Sequence, residues 1–519
     1  MAQVIINGSH LSLEQVVEVA RDKAAVVVVD KRALARTARG RDALERLLRE
    51  RKVIYGVNTG FGALSNRKIS DEELKLLQNN LIRSHASSVG KPHPTDVVRA
   101  IMLLRANTLL KGYSGIRREI PQLIVALLNK RVHPFIPEKG SVGASGDLSP
   151  LSHMALVLIG EGRAESGGKW LSGKAALQKS GHRPVQLEAK EGLALNNGTQ
   201  QTLAIGSLCL YDAYELFATA EAALALSLEA TRGWIDAFDE RIHRVRPHPG
   251  QIKVAAHVRE LLDRSKMVRT IVKDDPKDGR PQDPYSFRCA PQVMGAVLDS
   301  LDFVKRTLQT EMNSATDNPL VFPRDGVCLS GGNFHGEPVS MALDMLSLAV
   351  SNMANLSERR ISALLDPSLN NGLPPFLVGK GSRPGLSSGF MAVQYTATAL
   401  VSESKVLTHH ASSDSIPTSS NFEDFVSMGP GAAHKASDIV QNSQYVIAIE
   451  LLMAAQGIDL REDLRLGKGT RRVYNLIRSK IPPLTHDRSC HEDVEELRQM
   501  IQDRHVSKIV KEYTSQRSR

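Results

Sequence analysis

Apolar positions recur at helical spacing through most of the chain. Leu11 to Asp22 reads as a helix, with Ser12 as its cap and Gln15 placed to close a capping box. Ala24 to Val29 is β-branched and reads as a strand. Arg41 to Arg51 reads as a charged helix just after Gly40, and Asp71 to Ser87 as another. Thr95 opens a helix in which Val97, Ile101, Leu104 and Val98, Met102, Leu109 fall on helical spacing, and Gly112 and Gly115 break it. Ile116 to Lys130 and Leu151 to Gly160 are further apolar helices, whereas Glu161 to Pro184, rich in Gly and Lys, reads as a surface excursion.

The character then changes. Ser207 to Arg232 lacks Gly and Pro, is dominated by Ala, Leu and Glu, and would span roughly 40 Å as a helix. Val339 to Asp366, with Pro338 just ahead of it, Phe390 to His409 and Ala432 to Ala455 extend the pattern. Long helices with apolar faces and no sustained heptad imply a bundle, not a coiled coil. Ser265 to Pro284 is charged, carries three prolines, and reads as a loop at the bundle's edge. The expected fold is mainly α: a mixed N-terminal domain over residues 1–200, then a long-helix bundle with a C-terminal helical portion over residues 201–519.

Composition adds little to that picture. A chain of 519 residues can bury a large core and suggests two or three domains. The net charge of +10 comes from Lys and Arg spread along the chain and from a basic tail, Ser515–Arg519. With no nucleic-acid motif, it reads as a solvated surface, whose positive field would also draw in an anionic carboxylate substrate. Cys209, Cys289, Cys328 and Cys490 show no paired spacing, which argues against a disulfide framework or zinc ribbon and for a reducing compartment. The N-terminus has no basic region followed by an apolar run, and no uninterrupted apolar stretch is long enough to span a membrane. The expectation is a soluble cytoplasmic protein with no nucleic-acid or membrane partner.

The chemistry centres on Gly140-Ser-Val-Gly-Ala-Ser-Gly-Asp-Leu-Ser-Pro-Leu-Ser-His153. Gly146 has no side chain, so its nitrogen can approach the carbonyl carbon of Ala144, and Gly143 frees the turn on the other side. Ser145 carries a hydroxyl that can leave as water. Attack by the nitrogen and loss of two waters would give a five-membered imidazolone with an exocyclic methylene, an electrophile that no standard side chain provides. Ala-Ser-Gly alone is an ordinary turn, and the Gly-x-Ser-x-Gly spacing of a serine-hydrolase elbow is absent. The whole run resembles the signature of the aromatic amino acid ammonia-lyases and aminomutases. Those enzymes make 4-methylidene-imidazol-5-one (MIO) from Ala-Ser-Gly, here Ala144, Ser145 and Gly146.

Other segments carry the same resemblance, in the family's order. Tyr55-Gly-Val-Asn-Thr-Gly-Phe-Gly62 lacks the Gly-Lys-Ser/Thr ending of a phosphate loop; the resemblance makes it a lid with Tyr55 as catalytic base. A phenol needs a positive or hydrogen-bonding environment to serve near neutrality. His85, by itself a structural residue near a helix end, would contact the substrate side chain. Asn197, otherwise a helix cap, would hydrogen-bond the MIO. Gln282, Tyr285 and Arg288 would line one wall, with Arg288 pairing the substrate carboxylate in bidentate fashion and Tyr285 assisting proton or amine handling. Phe334 would lie against the MIO or the substrate ring. Glu423 would hold an imidazole or handle ammonia release. Asn-Phe-His-Gly-Glu brings no metal-ligand set.

The pair Glu423-Asp424 and His85 resemble the histidine ammonia-lyases, and the implied reaction is deamination of L-histidine to trans-urocanate and ammonia. Phe422 and Phe425 depart from that pattern and keep a tyrosine or phenylalanine ammonia-lyase, or an aminomutase, open. Asn196 and Ser404 depart from the family, and a non-catalytic helical scaffold is the reading from another class. The resemblance further implies a homotetramer with active sites shared between subunits.

Overall fold

The computed structural model describes residues 3–22, 24–274, 280–382, 385–461 and 465–514. The basic tail Ser515–Arg519 and residues 275–279 of the proline-bearing loop lie outside them. The described chain is mainly helical and forms two compact units. One comprises Met1–Tyr211, Val304–Asp344 and His410–His434; the other comprises Asp212–Phe303, Met345–His409 and Lys435–Arg519.

The first unit is built around the Thr95–Leu109 helix, in which every residue from Val98 to Leu109 is buried. The Leu13–Arg21 and Glu119–Asn129 helices pack against it. Each Leu or Ile sealed there contributes roughly 1.5–3 kcal/mol. Its buried arginines are bonded: Arg99 donates to the carbonyls of Val19 (2.9 Å) and Leu128 (3.2 Å). Ser12 and Gln15 form the expected capping box. Val26–Val29 is the expected strand, and it pairs in parallel with Gln3–Ile6.

Two expectations in this unit need correction. The charged helix runs from Lys31 to Arg49 and carries Gly40 inside it. A Cβ at Gly40 would lie 2.2 Å from the Gly112 carbonyl oxygen, so that glycine serves close packing, not a break. Glu161–Pro184 is an ordered hairpin, Arg163–Ser166 with Trp170–Ser172, followed by the Gly173–Lys179 helix. Gly167 and Gly168, at φ +66° and +77°, supply the left-handed turn that the hairpin requires.

The second unit contains most of the long helices. Residues of Gln200–Thr231, Glu337–Leu365 and Gly429–Leu460 pack there through Leu224, Leu228, Val350, Met353, Ile447 and Leu451, all buried. A buried carboxylate fastens the three helices: Glu450 accepts from Ser227, Ser357 and Arg360. Such a pair is tolerated away from water because every oxygen has a donor. The Glu337–Leu365 helix has the length and hydropathy to cross a membrane, but 67% of its apolar window is buried, as in a core helix. The Gln200–Thr231 helix begins earlier than its pattern suggests, with Gly206 inside it against the side chain of Leu343.

Candidate active site

Within the first unit, a cavity of about 1040 Å³ is lined by Tyr55, His85, Ala144, Ser145, Asn197, Phe334 and Glu423. Seven side chains selected from the sequence thus meet around one space. The turn at its floor is tight: the Gly146 nitrogen donates to the Gly143 carbonyl at 3.2 Å, with Ala144 and Ser145 between them. Ser145 is left-handed at φ 50°, between Gly143 at 81° and Gly146 at 78°. A Cβ at Gly146 would lie 2.2 Å from Gly198 O, and one at Gly143 would lie 2.2 Å from Ser427 Oγ. Neither glycine can therefore be exchanged without moving the turn.

Neighbouring elements hold this turn. The Asp147 nitrogen donates to the Gly198 carbonyl at 2.5 Å. The Asp147 carboxylate accepts from Thr202 N (2.8 Å) and Thr202 Oγ1 (2.9 Å), at the start of the Gln200–Thr231 helix, where a negative charge suits the helix dipole. Asn197 Nδ2 donates to the Ser145 carbonyl at 3.4 Å, and Asn197 Oδ1 is buried with no hydrogen-bond partner among the described residues. Arg105, fully buried, donates to Asn197 O (2.9 Å) and to Ala194 O, fixing the end of the Glu191–Asn196 helix that carries Asn197. Asn196 is buried and donates to Ser152 Oγ at 3.1 Å, so this departure from the family faces the Leu148–Leu158 helix.

Burial pushes the Asp147 carboxyl up to about 6, against the bonds from Thr202 and Gln201 that pull it down. A carboxyl raised in this way favours the fold while protonated. Its contribution is fully present below the unfolded value of 3.8 and is lost as pH rises through about 6. Asp147→Asn keeps an acceptor for Thr202 and cannot ionise. Its stability relative to the parent should therefore improve by about 2 kcal/mol between pH ~4 and pH ~7. Urea unfolding of both proteins at the two pH values reads this directly, and an unchanged difference would remove Asp147 as the source.

The Tyr55 hydroxyl accepts from Gly62 N at 3.0 Å across the glycine loop. Gln78 ties that loop to the Asn197 helix, donating to Gly56 O and accepting from Leu193 N, each at 3.1 Å. Burial raises the Tyr55 pKa, the Gly62 donor opposes the rise, and the Glu423 carboxylate adds to it. This environment is the reverse of what a phenolate base needs. Arg67 is the only lysine or arginine among the described residues lining the cavity.

Glu423 reaches the turn directly: Ser145 Oγ donates to Glu423 Oε1 at 3.1 Å. The Glu423 carboxylate therefore stands beside the Ser145 side chain. His85 Nδ1 lies 2.9 Å from the Leu81 carbonyl oxygen and 3.0 Å from Ser84 Oγ, so Nε2 is the nitrogen turned away from these contacts. Phe334 is half-buried in the wall, and His335 stacks on Phe425 with centroids 6.0 Å apart.

Gln282, Tyr285 and Arg288 belong to the second unit and do not line this cavity. Gln282 and Arg288 line a separate cavity of about 350 Å³ there. Arg288 lies over the Tyr285 ring at 4.5 Å and donates to Asp283 O at 3.0 Å, while the Tyr285 side is 69% exposed. The sequence does not mark Arg105 and Gln78, whose partners lie 92 and 115 positions away, nor Thr418 and Arg67, which carry no motif of their own.

Comparison with known proteins matches this arrangement. Residues 11–479 match the family model described as aromatic amino acid lyase. The chain is 50% identical to the histidine ammonia-lyase of Caldanaerobacter subterraneus subsp. tengcongensis, over 99% of both chains. The crystal structure of histidine ammonia-lyase from Trypanosoma cruzi superposes with a TM-score of 0.90 at 43% identity, covering 98% of this chain and 95% of that one. Tyrosine aminomutase from Streptomyces globisporus superposes with a TM-score of 0.94 at 36% identity, covering 100% of both. Carried by a glycine-flanked Ala-Ser-Gly turn with tyrosine, asparagine and glutamate gathered on it, the chain belongs to the aromatic amino acid lyase family.

Proposed function

We propose that the chain is a histidine ammonia-lyase that converts L-histidine to trans-urocanate and ammonia with an MIO formed from Ala144, Ser145 and Gly146. The observation that carries this reading is Ser145 Oγ 3.1 Å from Glu423 Oε1, in a cavity that His85, Tyr55 and Asn197 also line. The turn suits the cofactor: both glycines are sterically required, and Asn197 already donates to the Ser145 carbonyl. When formed, the MIO supplies an electrophilic carbon that turns the substrate amine into a better leaving group.

The chain's own groups do the rest. Asn197 Nδ2 supports negative charge on the Ser145 carbonyl oxygen. Glu423, at the reacting carbon, accepts N–H from the substrate amine and assists the departure of ammonia. This placement favours ammonia handling over a grip on the imidazole. His85 Nε2 accepts the imidazole N–H, and Phe334 packs against the ring. Tyr55 takes the β-proton. Holding base and β-carbon in register contributes much of the rate.

The carboxylate partner is Arg288, with Tyr285 and Gln282, contributed by another copy in a homotetramer. Two features support an assembly. Among the described residues lining the cavity, Arg67 alone offers a carboxylate a basic side chain, and Met345, Leu348, Tyr395 and Val406 leave apolar area exposed on long helices. Cys289, Cys328 and Cys490 are free thiols, in keeping with the reducing cytoplasm proposed for the enzyme.

Phe422 and Phe425 line the cavity and support a second reading, a tyrosine lyase or aminomutase. An ultraviolet assay with L-histidine, L-tyrosine and L-phenylalanine in parallel tests both. Selective urocanate is the expected result, and His85→Leu should abolish the preference. Coumarate, cinnamate or a β-amino acid as main product would overturn the histidine reading.

A further inference from the structure

Glu423 has two oxygens, and they do different work. Oε1 takes the Ser145 hydroxyl, while Oε2 takes a bond from Thr418 Oγ1 at 3.1 Å. Thr418 also closes the loop on Glu423 through its backbone: Thr418 N donates to Glu423 O at 2.9 Å, and Glu423 N to Thr418 O at 3.3 Å. Between them, Ser419, Ser420 and Asn421 are all left-handed, at φ 52°, 54° and 64°. Three successive non-glycine residues in this region are strained, and such strain persists only where the surroundings over-determine it.

Packing alone does not fix the Glu423 side chain. Ser419 to Phe422 and Asp424 are exposed, and a glutamate in such a loop has several rotamers open to it. The turn is nevertheless buttressed on one side. Ser419 Oγ stands 2.7 Å from where a Cβ on Gly62 would be, and Gly62 N is the donor to Tyr55. One strained turn therefore abuts the loop of the base and carries the carboxylate.

We propose that Thr418 is a positioning residue for Glu423. Its hydroxyl holds one carboxylate oxygen so that the other faces the atom bonded to the Ser145 Cβ, and the left-handed turn 419–421 is the frame for that aim. This rests on the reading of Glu423 as the group that meets the substrate amine.

The test is a double-mutant cycle in the full-length enzyme: parent, Thr418→Val, Glu423→Gln and the pair, with Thr418→Ser as rescue. Each protein is measured for kcat and KM with L-histidine, intact mass and melting temperature. Thr418→Val should lower kcat about tenfold, the loss of one hydrogen bond to a charged group, with little change in KM. Thr418→Ser should restore most of it. In the Glu423→Gln background Thr418→Val should change kcat by less than about twofold, because no carboxylate remains to be aimed. Intact masses should all show the loss of two waters. Equal losses in both backgrounds, or a serine variant as slow as valine, would overturn the positioning role. Glu423→Gln at the parental rate would instead overturn the reading of Glu423 itself. Should the valine variant not fold, Thr418→Ala enters the same cycle.

Discussion

A chain carrying Ser145→Ala should form urocanate on the order of 10³-fold more slowly than the parent, or worse, the scale of loss when a covalent catalytic group is removed. The argument is one of atoms. The methylene of the proposed electrophile comes from the Ser145 Cβ, and the second water lost carries the Ser145 oxygen. Alanine has a Cβ and no leaving group, so no methylene can form even if the Gly146 nitrogen still closes on Ala144. The intact mass reports this independently of activity. The parent should be lighter than its encoded chain by two waters, and the variant by one at most. Gly143 and Gly146 supply the flanking left-handed positions of the turn in either protein. A variant that keeps parental activity would remove the MIO from the mechanism altogether.

The turn was legible in the sequence because its chemistry is local. Two glycines and a serine act on neighbours, and the left-handed φ values of Gly143 and Gly146 follow from residue type, whereas Asp147 takes its bonds from Thr202, 55 positions away. The capping box of Ser12 and Gln15 was legible for the same reason. Gly40 and Gly206 misled, since a glycine that permits close packing looks, in sequence, like one that ends a helix. The residues that aim the site were invisible. Arg105 holds the Asn197 carbonyl from 92 positions away, and no local pattern marks it. Thr418 is five residues from Glu423, but only the left-handed run between them turns that spacing into a hydrogen bond. Gln282, Tyr285 and Arg288 present the opposite case. Family resemblance assigns them to the site, whereas within one chain Arg288 bonds its own segment at Asp283 O and rests on Tyr285. Their proposed role belongs to an assembly, which a single chain's local pattern does not encode.

Tyr55→Phe should lower kcat by about 10²- to 10⁴-fold, the range for loss of a general base, while KM for histidine moves little. Phenylalanine keeps the ring and removes only the oxygen that accepts from Gly62 N. The loop keeps its other fastening, because Gln78 still holds Gly56 O, and the intact mass should still show two waters lost. The electrostatics make the result informative. Burial and the Glu423 carboxylate both push the Tyr55 phenol upward, and the Gly62 donor alone opposes them. A cation beside the phenol would oppose both. The proposed source is Arg288 of another copy, arriving with the substrate carboxylate it binds. Arg288→Met should therefore slow the parent strongly at neutral pH and recover partly as pH rises, since added hydroxide makes up for the missing charge. In the Tyr55→Phe background that recovery should vanish, because no phenol remains to ionise. Recovery that persists without Tyr55 would move the base elsewhere, and Glu423, bonded to the Ser145 hydroxyl, would be the next group to test.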